Sequence, residues 1–439
     1  MGCLLTLIAV VSMTVGVGTA SATPPFPQHF PPGENQLPPL PTEAGIYDAL
    51  PIAPPDRDPW YRDPANLNTL APGAVIRTRV IQTRQLGIPV PVYAKQILFR
   101  SNNFHQQPVA TATTVLIPGI PWSGSPRPVV SYQEAIDSLD SSCNPSYTLQ
   151  TGTFKELQLA MPFLAQGFAV NIPDFDGKYN TFATVDEGYM VLDSLRAMKN
   201  VQSLGLNRSA IGLFGYSGGG LGSARAAELR KTYAPDVAIT SAAFGGMPAD
   251  FTQLDYSTRS QSGLNGLSNF LMWLGFAGFG KQFPEAFDPK RVLTPAGQGI
   301  LANMRGRCIY TAAGTGMFRP IANYLNPGLS LTTDKPIQKV LKDNSLGQHI
   351  PDVPVLWYHG VWDELIWRSR VVAPIVNKYW AQGANMRYIT VPSAEHIIND
   401  GVAWLPASAW LAATLRGSDP GPRVKLDYPG PLPEGFPGT

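Results

Sequence analysis

Five residues, Gly215-Tyr216-Ser217-Gly218-Gly219, limit what this chain can fold into more than any other stretch. The apolar run Ala210–Phe214 precedes them, and Gly220-Leu221-Gly222-Ser223-Ala224 opens a run of small and helix-forming residues behind them. The pattern predicts a short buried strand, a sharp turn and a helix. A serine at such a turn stands clear of its neighbours only if the positions two before and two after carry almost no side chain; both are glycine here. The helix that follows turns its free N–H groups and its positive dipole end toward whatever Ser217 attacks. A glycine-rich turn can also cradle a phosphate, but the Walker lysine and the second dinucleotide glycine pattern are both missing. The expectation is a nucleophilic serine.

The rest of the chain reads as a frame for that unit. Residues 75–80, 92–99 and 110–118 are strand-like and separated by turn residues, an antiparallel start to a sheet. Strands and helices then alternate: strand 128–132, a helix near 153–166, strand 168–173, and a helix over 185–204. In that last helix Val191, Leu195, Met198 and Val201 recur at three- and four-residue spacing. The serine strand and its helix come next, then strand 237–244. Such alternation builds a mostly parallel central sheet with helices on both faces. From 246 to 352 the rhythm stops, and the apolar, aromatic piece Leu267–Gly280 lies inside the gap. An interruption this long predicts an inserted helical cap, or lid. Strand 353–359, helix 369–382, strand 386–391 and a closing helix from Pro406 to Leu415 resume the pattern. The expected division is a core over 71–245 and 353–416, a cap over 246–352, a Pro-rich arm over 23–70 and a Pro/Gly-rich tail over 417–439.

A serine hydroxyl needs a base within hydrogen-bond reach and a carboxylate to orient that base. The chain has five histidines. In the fold that carries such an elbow the order is serine, acid, histidine, which sets aside His29 and His105. His349 falls in the inserted region, and His359 ends a strand ahead of the acid candidates. His396 follows the last strand, in Pro392-Ser393-Ala394-Glu395-His396, and is the expected base; His359 is the rival and reads as a strand-end histidine bonding a loop. The acid should follow the preceding strand, where Gly360-Val361-Trp362-Asp363-Glu364 stands. Asp363 is the expected acid, with Glu364 facing outward or bracing the loop. Glu395 cannot easily fold back onto the neighbouring imidazole. One oxyanion donor is the backbone N–H of Gly218, and the second lies in the loop 132–138, within which spacing alone does not choose.

Only 15% of residues are charged and the net charge is +2, with no basic block, which argues against a nucleic-acid partner. No cluster of cysteine and histidine has metal-ligand spacing, so neither metal nor cofactor is expected. Residues 1–22 read as a secretory signal peptide, with a largely apolar run from Leu4 to Val17 and a small-x-small site at Ala20-Ser21-Ala22, although no Lys or Arg precedes the run. No other stretch is long and apolar enough to span a bilayer. Cys3 leaves with the signal, and Cys143 and Cys308 read as one disulfide or as two buried thiols. Asn207-Arg208-Ser209 is the one plain glycosylation sequon.

From Pro64 to Leu415 the chain resembles the secretory lipase family of the lipase-A type. The likeness rests on Ser131-Tyr132-Gln133 with Asp137-Ser138, on Cys143 with Pro145-Ser146-Tyr147, and on Glu187-Gly188 with Leu195-Arg196-Ala197. It continues through Gly215–Gly219, Arg305-Gly306-Arg307, His359 with Asp363-Glu364, and Ala394-Glu395-His396. The resemblance implies an α/β-hydrolase with a large helical lid, acting on acylglycerols, with Ser217, Asp363 and His396 as its triad. It further implies an oxyanion hole made by Gly218 and the backbone amide of Asp137, and a Cys143–Cys308 bridge. The family's second disulfide has no cysteines here. The expected function is that of a secreted serine lipase, working without cofactor on a lipid or ester at a lipid–water interface. Two alternatives stand beside it: an esterase or acyltransferase for smaller esters, and a secreted lipid-binding protein on an inactive hydrolase fold.

Overall fold

Leu213 and Phe214 are neighbours on one strand, and strand geometry sends them to opposite faces of the sheet. Each enters a separate apolar core, Leu213 with Val191, Leu195 and Leu221, and Phe214 with Phe163, Leu411 and Leu415. A strand buried on both sides belongs inside a sheet covered by helices on both faces. The computed structural model, which describes residues 42–428 except 48, 125, 255–265 and 393, has this architecture. The expected signal peptide, much of the Pro-rich arm and the end of the tail lie outside the described residues.

The main sheet has ten strands: β1 Val75–Ile81, β2 Val92–Asn102, β3 Pro108–Pro118, β4 Val129–Gln133, β5 Ala169–Pro173, β6 Ile211–Tyr216, β7 Ile239–Gly245, β8 Val355–Gly360, β9 Met386–Val391 and β10 Val424–Leu426. Their spatial order is β1-β2-β3-β5-β4-β6-β7-β8-β9-β10. The pairs β1–β2, β2–β3 and β3–β5 are antiparallel, and every later pair is parallel. Chain direction across the sheet reverses between β4 and β6. Outside the carboxyl ends of strands at such a reversal lies the crevice where open α/β sheets hold their ligands. Residue 137 follows β4 and residue 217 follows β6, so both candidate site segments open into that crevice.

On one face helix Asp186–Asn200 lies beside Gly218–Tyr233; on the other lies the long helix His396–Leu415. Three features depart from the sequence reading. The helix expected near 153–166 is shorter, Leu157–Ala165, and a helix absent from the sequence reading, Pro145–Thr151, precedes it and ends at Gly152, which takes the left-handed conformation at φ +84°. The closing helix begins at His396, not at Pro406, which lies inside it. Its start is fixed by carboxylates: Glu395 accepts from the N–H groups of Ile397 and Ile398, and Glu364 accepts from that of His396 at 3.0 Å. The tail contributes the short edge strand β10.

Between β7 and β8 the described residues hold helices Asn269–Gln282, Pro289–Val292, Pro295–Asn303, Ile309–Gly316 and Lys335–Asn344. Asp288, Thr294 and Asp334 cap three of them, each just ahead of a proline in the first turn, the usual sequence mark of a helix start. Two ties anchor this region to the core. A Cys143–Cys308 disulfide joins the segment after β4 to the cap. Arg225, paired with Glu187 at 2.7 Å and fully buried, donates to the carbonyls of Ala183, Thr184 and Asn344.

Candidate active site

Ser217 sits between β6 and helix Gly218–Tyr233 with φ +53° and ψ −125°. A non-glycine residue there is strained and persists only where its surroundings fix it. Here the surroundings are backbone. The Ser217 N–H donates to the Gly245 carbonyl at 2.9 Å. A side chain at Gly215 would strike the Gly219 carbonyl, and one at Gly219 would strike that of Gln133, so neither position admits anything larger than glycine.

The imidazole of His396 lies between Ser217 and Asp363. Its Nε2 is 3.0 Å from Ser217 Oγ, and its Nδ1 is 2.8 and 3.0 Å from the two oxygens of Asp363. With the proton on Nδ1 the ring donates to the carboxylate, leaving Nε2 to accept the serine proton. The Asp363 carboxylate also accepts from the N–H groups of Ile366 at 2.8 Å and Leu365 at 3.2 Å, which fixes its plane. Burial works against the imidazolium, but the charge and hydrogen bond of Asp363 outweigh it. Glu364 and Asp400 add to the same side, and His396 is pushed up to about 9. His359, the rival base, is buried behind the acid with Nε2 2.9 Å from the Ile366 carbonyl oxygen, a strand-end histidine bonding a loop. Burial lowers its pKa.

Asp137 and Gly218 face the same cavity as Ser217. Gly218 is the first residue of its helix, so its N–H has no partner within the helix. Asp137 is buried and takes φ +41°, a second non-glycine residue in the left-handed region beside the serine. Burial pushes its carboxyl up to about 6. The cavity these residues share is lined mainly by apolar side chains. It runs from Ser217 under the cap, where Leu271, Met272, Gly275, Phe276 and Phe279 of helix Asn269–Gln282 line one wall. The apolar piece in the sequence gap is therefore both cap core, with Trp273 and Leu274 fully buried, and cavity wall.

A family model described as secretory lipase matches residues 143–422. The chain belongs to the secretory lipase family. A probable inactive lipase of Mycobacterium tuberculosis (strain CDC 1551 / Oshkosh) is 34% identical over 84% of this chain and 83% of its own length. Lipase A of Moesziomyces aphidis is 30% identical over 83% of this chain and 81% of its own. The crystal structure of Candida antarctica lipase A in its closed state superposes with a TM-score of 0.75 at 27% identity, covering 85% of this chain and 89% of that one. The fold is thus an α/β-hydrolase, and family membership supports ester hydrolysis of the lipase or esterase kind.

Some residues around the site were not singled out from the sequence. Tyr216, inside the elbow, donates its hydroxyl to the His396 carbonyl at 2.7 Å and accepts from Asn399 at 3.0 Å. The residue before the serine therefore holds the backbone of the histidine. Glu364 is buried and bonds the His396 N–H, so of the two roles considered for it, bracing is the one the structure has. Neither contact has a local signal, since each spans more than thirty residues of chain.

Proposed function

We propose that this member of the secretory lipase family is a secreted serine hydrolase that cleaves the ester bonds of acylglycerols. The observation that carries the reading is the Ser217–His396–Asp363 hydrogen-bonded relay opening into an apolar cavity. Ser217 Oγ attacks the ester carbonyl carbon while His396 Nε2 takes its proton. The resulting oxyanion accepts from the N–H groups of Gly218 and Asp137. Collapse breaks the bond to the alcohol, which leaves with the proton held by His396. Water then attacks the acyl-enzyme, His396 again takes the proton and returns it to Ser217, and the fatty acid departs. An acyl chain lying under helix Asn269–Gln282 is shielded from water. On the helix that begins at His396, Ile397, Ile398, Val402 and Leu405 are exposed, which supports work at a lipid–water interface. Among the described residues no helix is long and apolar enough to cross a membrane.

The mycobacterial relative, a probable inactive lipase, favours a second reading, a lipid-binding protein on an inactive hydrolase fold. Hydrolysis of a triacylglycerol chain-length series, measured beside p-nitrophenyl butyrate, separates the possibilities. The proposal expects turnover of emulsified triacylglycerols. Turnover of soluble butyrate alone contradicts the lipase assignment and leaves an esterase. No turnover of either supports the binding protein.

A further inference from the structure

The donor loop behind β4 is gripped by two consecutive side chains that lie outside the relay. Glu134, Ala135 and Ile136 form a tight turn in which the Ile136 N–H donates to the Glu134 carbonyl at 2.8 Å, with Ala135 at its centre. Glu156 Oε1 accepts from the Ala135 N–H at 3.1 Å, and Lys155 Nζ donates to the Ala135 carbonyl at 2.5 Å. Each side chain has a second anchor: Glu156 Oε2 accepts from the Tyr132 hydroxyl at 2.9 Å, and Lys155 donates to Glu134 Oε1 at 2.9 Å. The two charges are 3.8 Å apart, and each makes a bond to the Ala135 peptide. Asp137, at φ +41°, follows two residues after the gripped residue.

The chain delivers this pair through the break between helices Pro145–Thr151 and Leu157–Ala165. Glu156 is the last residue before the second helix, and buried Phe154 and Leu157 pin the break on either side. Buried loop backbone needs partners, but water or a neutral side chain would satisfy it. Charge-assisted bonds are shorter and roughly twice as strong, so this turn is stiffer than burial alone requires. A stiff turn is what a strained donor two residues along needs, because an oxyanion donor works only if it is in place before charge develops.

We infer that Lys155 and Glu156 are positioning residues for the oxyanion donor at Asp137, an inference that rests on the mechanism proposed above. They touch neither substrate nor the reacting atoms and act through the Ala135 peptide. Lys155→Met and Glu156→Leu should therefore lower kcat on p-nitrophenyl butyrate by about 10- to 100-fold, leaving KM within about threefold. Glu156→Gln keeps an oxygen that accepts from the Ala135 N–H and should retain kcat within about fivefold of the parent. Leu157→Ala, a cavity next to the pair with no polar contact to the turn, should lower Tm without lowering kcat. If Glu156→Leu does not fold, Lys155→Met carries the same test. The inference is overturned if both variants lose Tm but keep kcat, if KM alone moves, or if Leu157→Ala loses as much kcat at equal Tm. A parent protein whose Ser217 takes no fluorophosphonate overturns the mechanism itself, and this inference with it.

Discussion

The two walls of the site are made of different materials. On the sheet side, Ser217, Asp363 and His396 are held by hydrogen bonds of 2.7 to 3.2 Å that run into backbone from three strand-end loops. Facing them across the cavity, helix Asn269–Gln282 offers Leu271, Met272, Phe276 and Phe279, whose side chains have only van der Waals contact to give. Directional bonds fix atoms to a few tenths of an ångström, whereas apolar walls fix only shape and volume. The sheet side is therefore where a change should abolish reaction, and the cap side is where a change should redirect it.

Breaking the sheet side at the base should have the largest effect. His396→Ala should cost at least about 10⁴-fold in kcat on any ester, with Tm little changed, because removing the base leaves only binding and the oxyanion hole. Asp363→Asn keeps the geometry but no longer selects the imidazole tautomer, and should cost about 10³- to 10⁴-fold. Next comes pH. His396 must be neutral to accept the serine proton, and its pKa is pushed up to about 9, so the competent form grows as pH rises. The pH profile of kcat/KM should climb about tenfold per unit through the neutral range and level off on the alkaline side. A profile already flat at pH 7 would contradict that electrostatic picture of His396 and Asp363. The cap side supplies the smallest effect. Gly275 faces the cavity, and a Cβ there meets only Phe279, at 3.9 Å, so Gly275→Leu should extend a side chain into the cavity. It should lower turnover of long-chain relative to butyrate esters by about tenfold, without loss on butyrate itself. Equal loss on both would mean that the two walls are not separable.

How much of this was legible in the sequence follows the same divide. Ser217, Asp363 and His396 could be named because strand-end loops carry chemistry in a fixed chain order, and the structure brings those three side chains into hydrogen-bond contact. The centre of the sheet was legible because its strands are buried on both faces and read as short apolar runs, as in Ile211–Tyr216. Much of what escaped depends on contacts distant in sequence. Pro406 looked like a helix start because proline suits a first turn, although Glu395 caps the helix locally at its true start; only the brace from Glu364 onto the His396 N–H is distant in sequence. Lys155 and Glu156 read as ordinary helix residues because the Ala135 peptide they bond lies about twenty residues earlier in the chain. The cap could be read as an insertion with an apolar piece inside it, but which residues of that piece face the cavity could not. Its main helix is apolar nearly all round, so no periodicity separates the side facing the cavity from the side facing the core.

The central claim is that Ser217 is a nucleophile activated by His396, and covalent labelling tests it most directly. Treated with a fluorophosphonate, the protein should gain one adduct per chain, on the peptide that contains Ser217, and Ser217→Ala should gain none. Absence of label on the folded protein, or a label that persists in Ser217→Ala, would contradict the account.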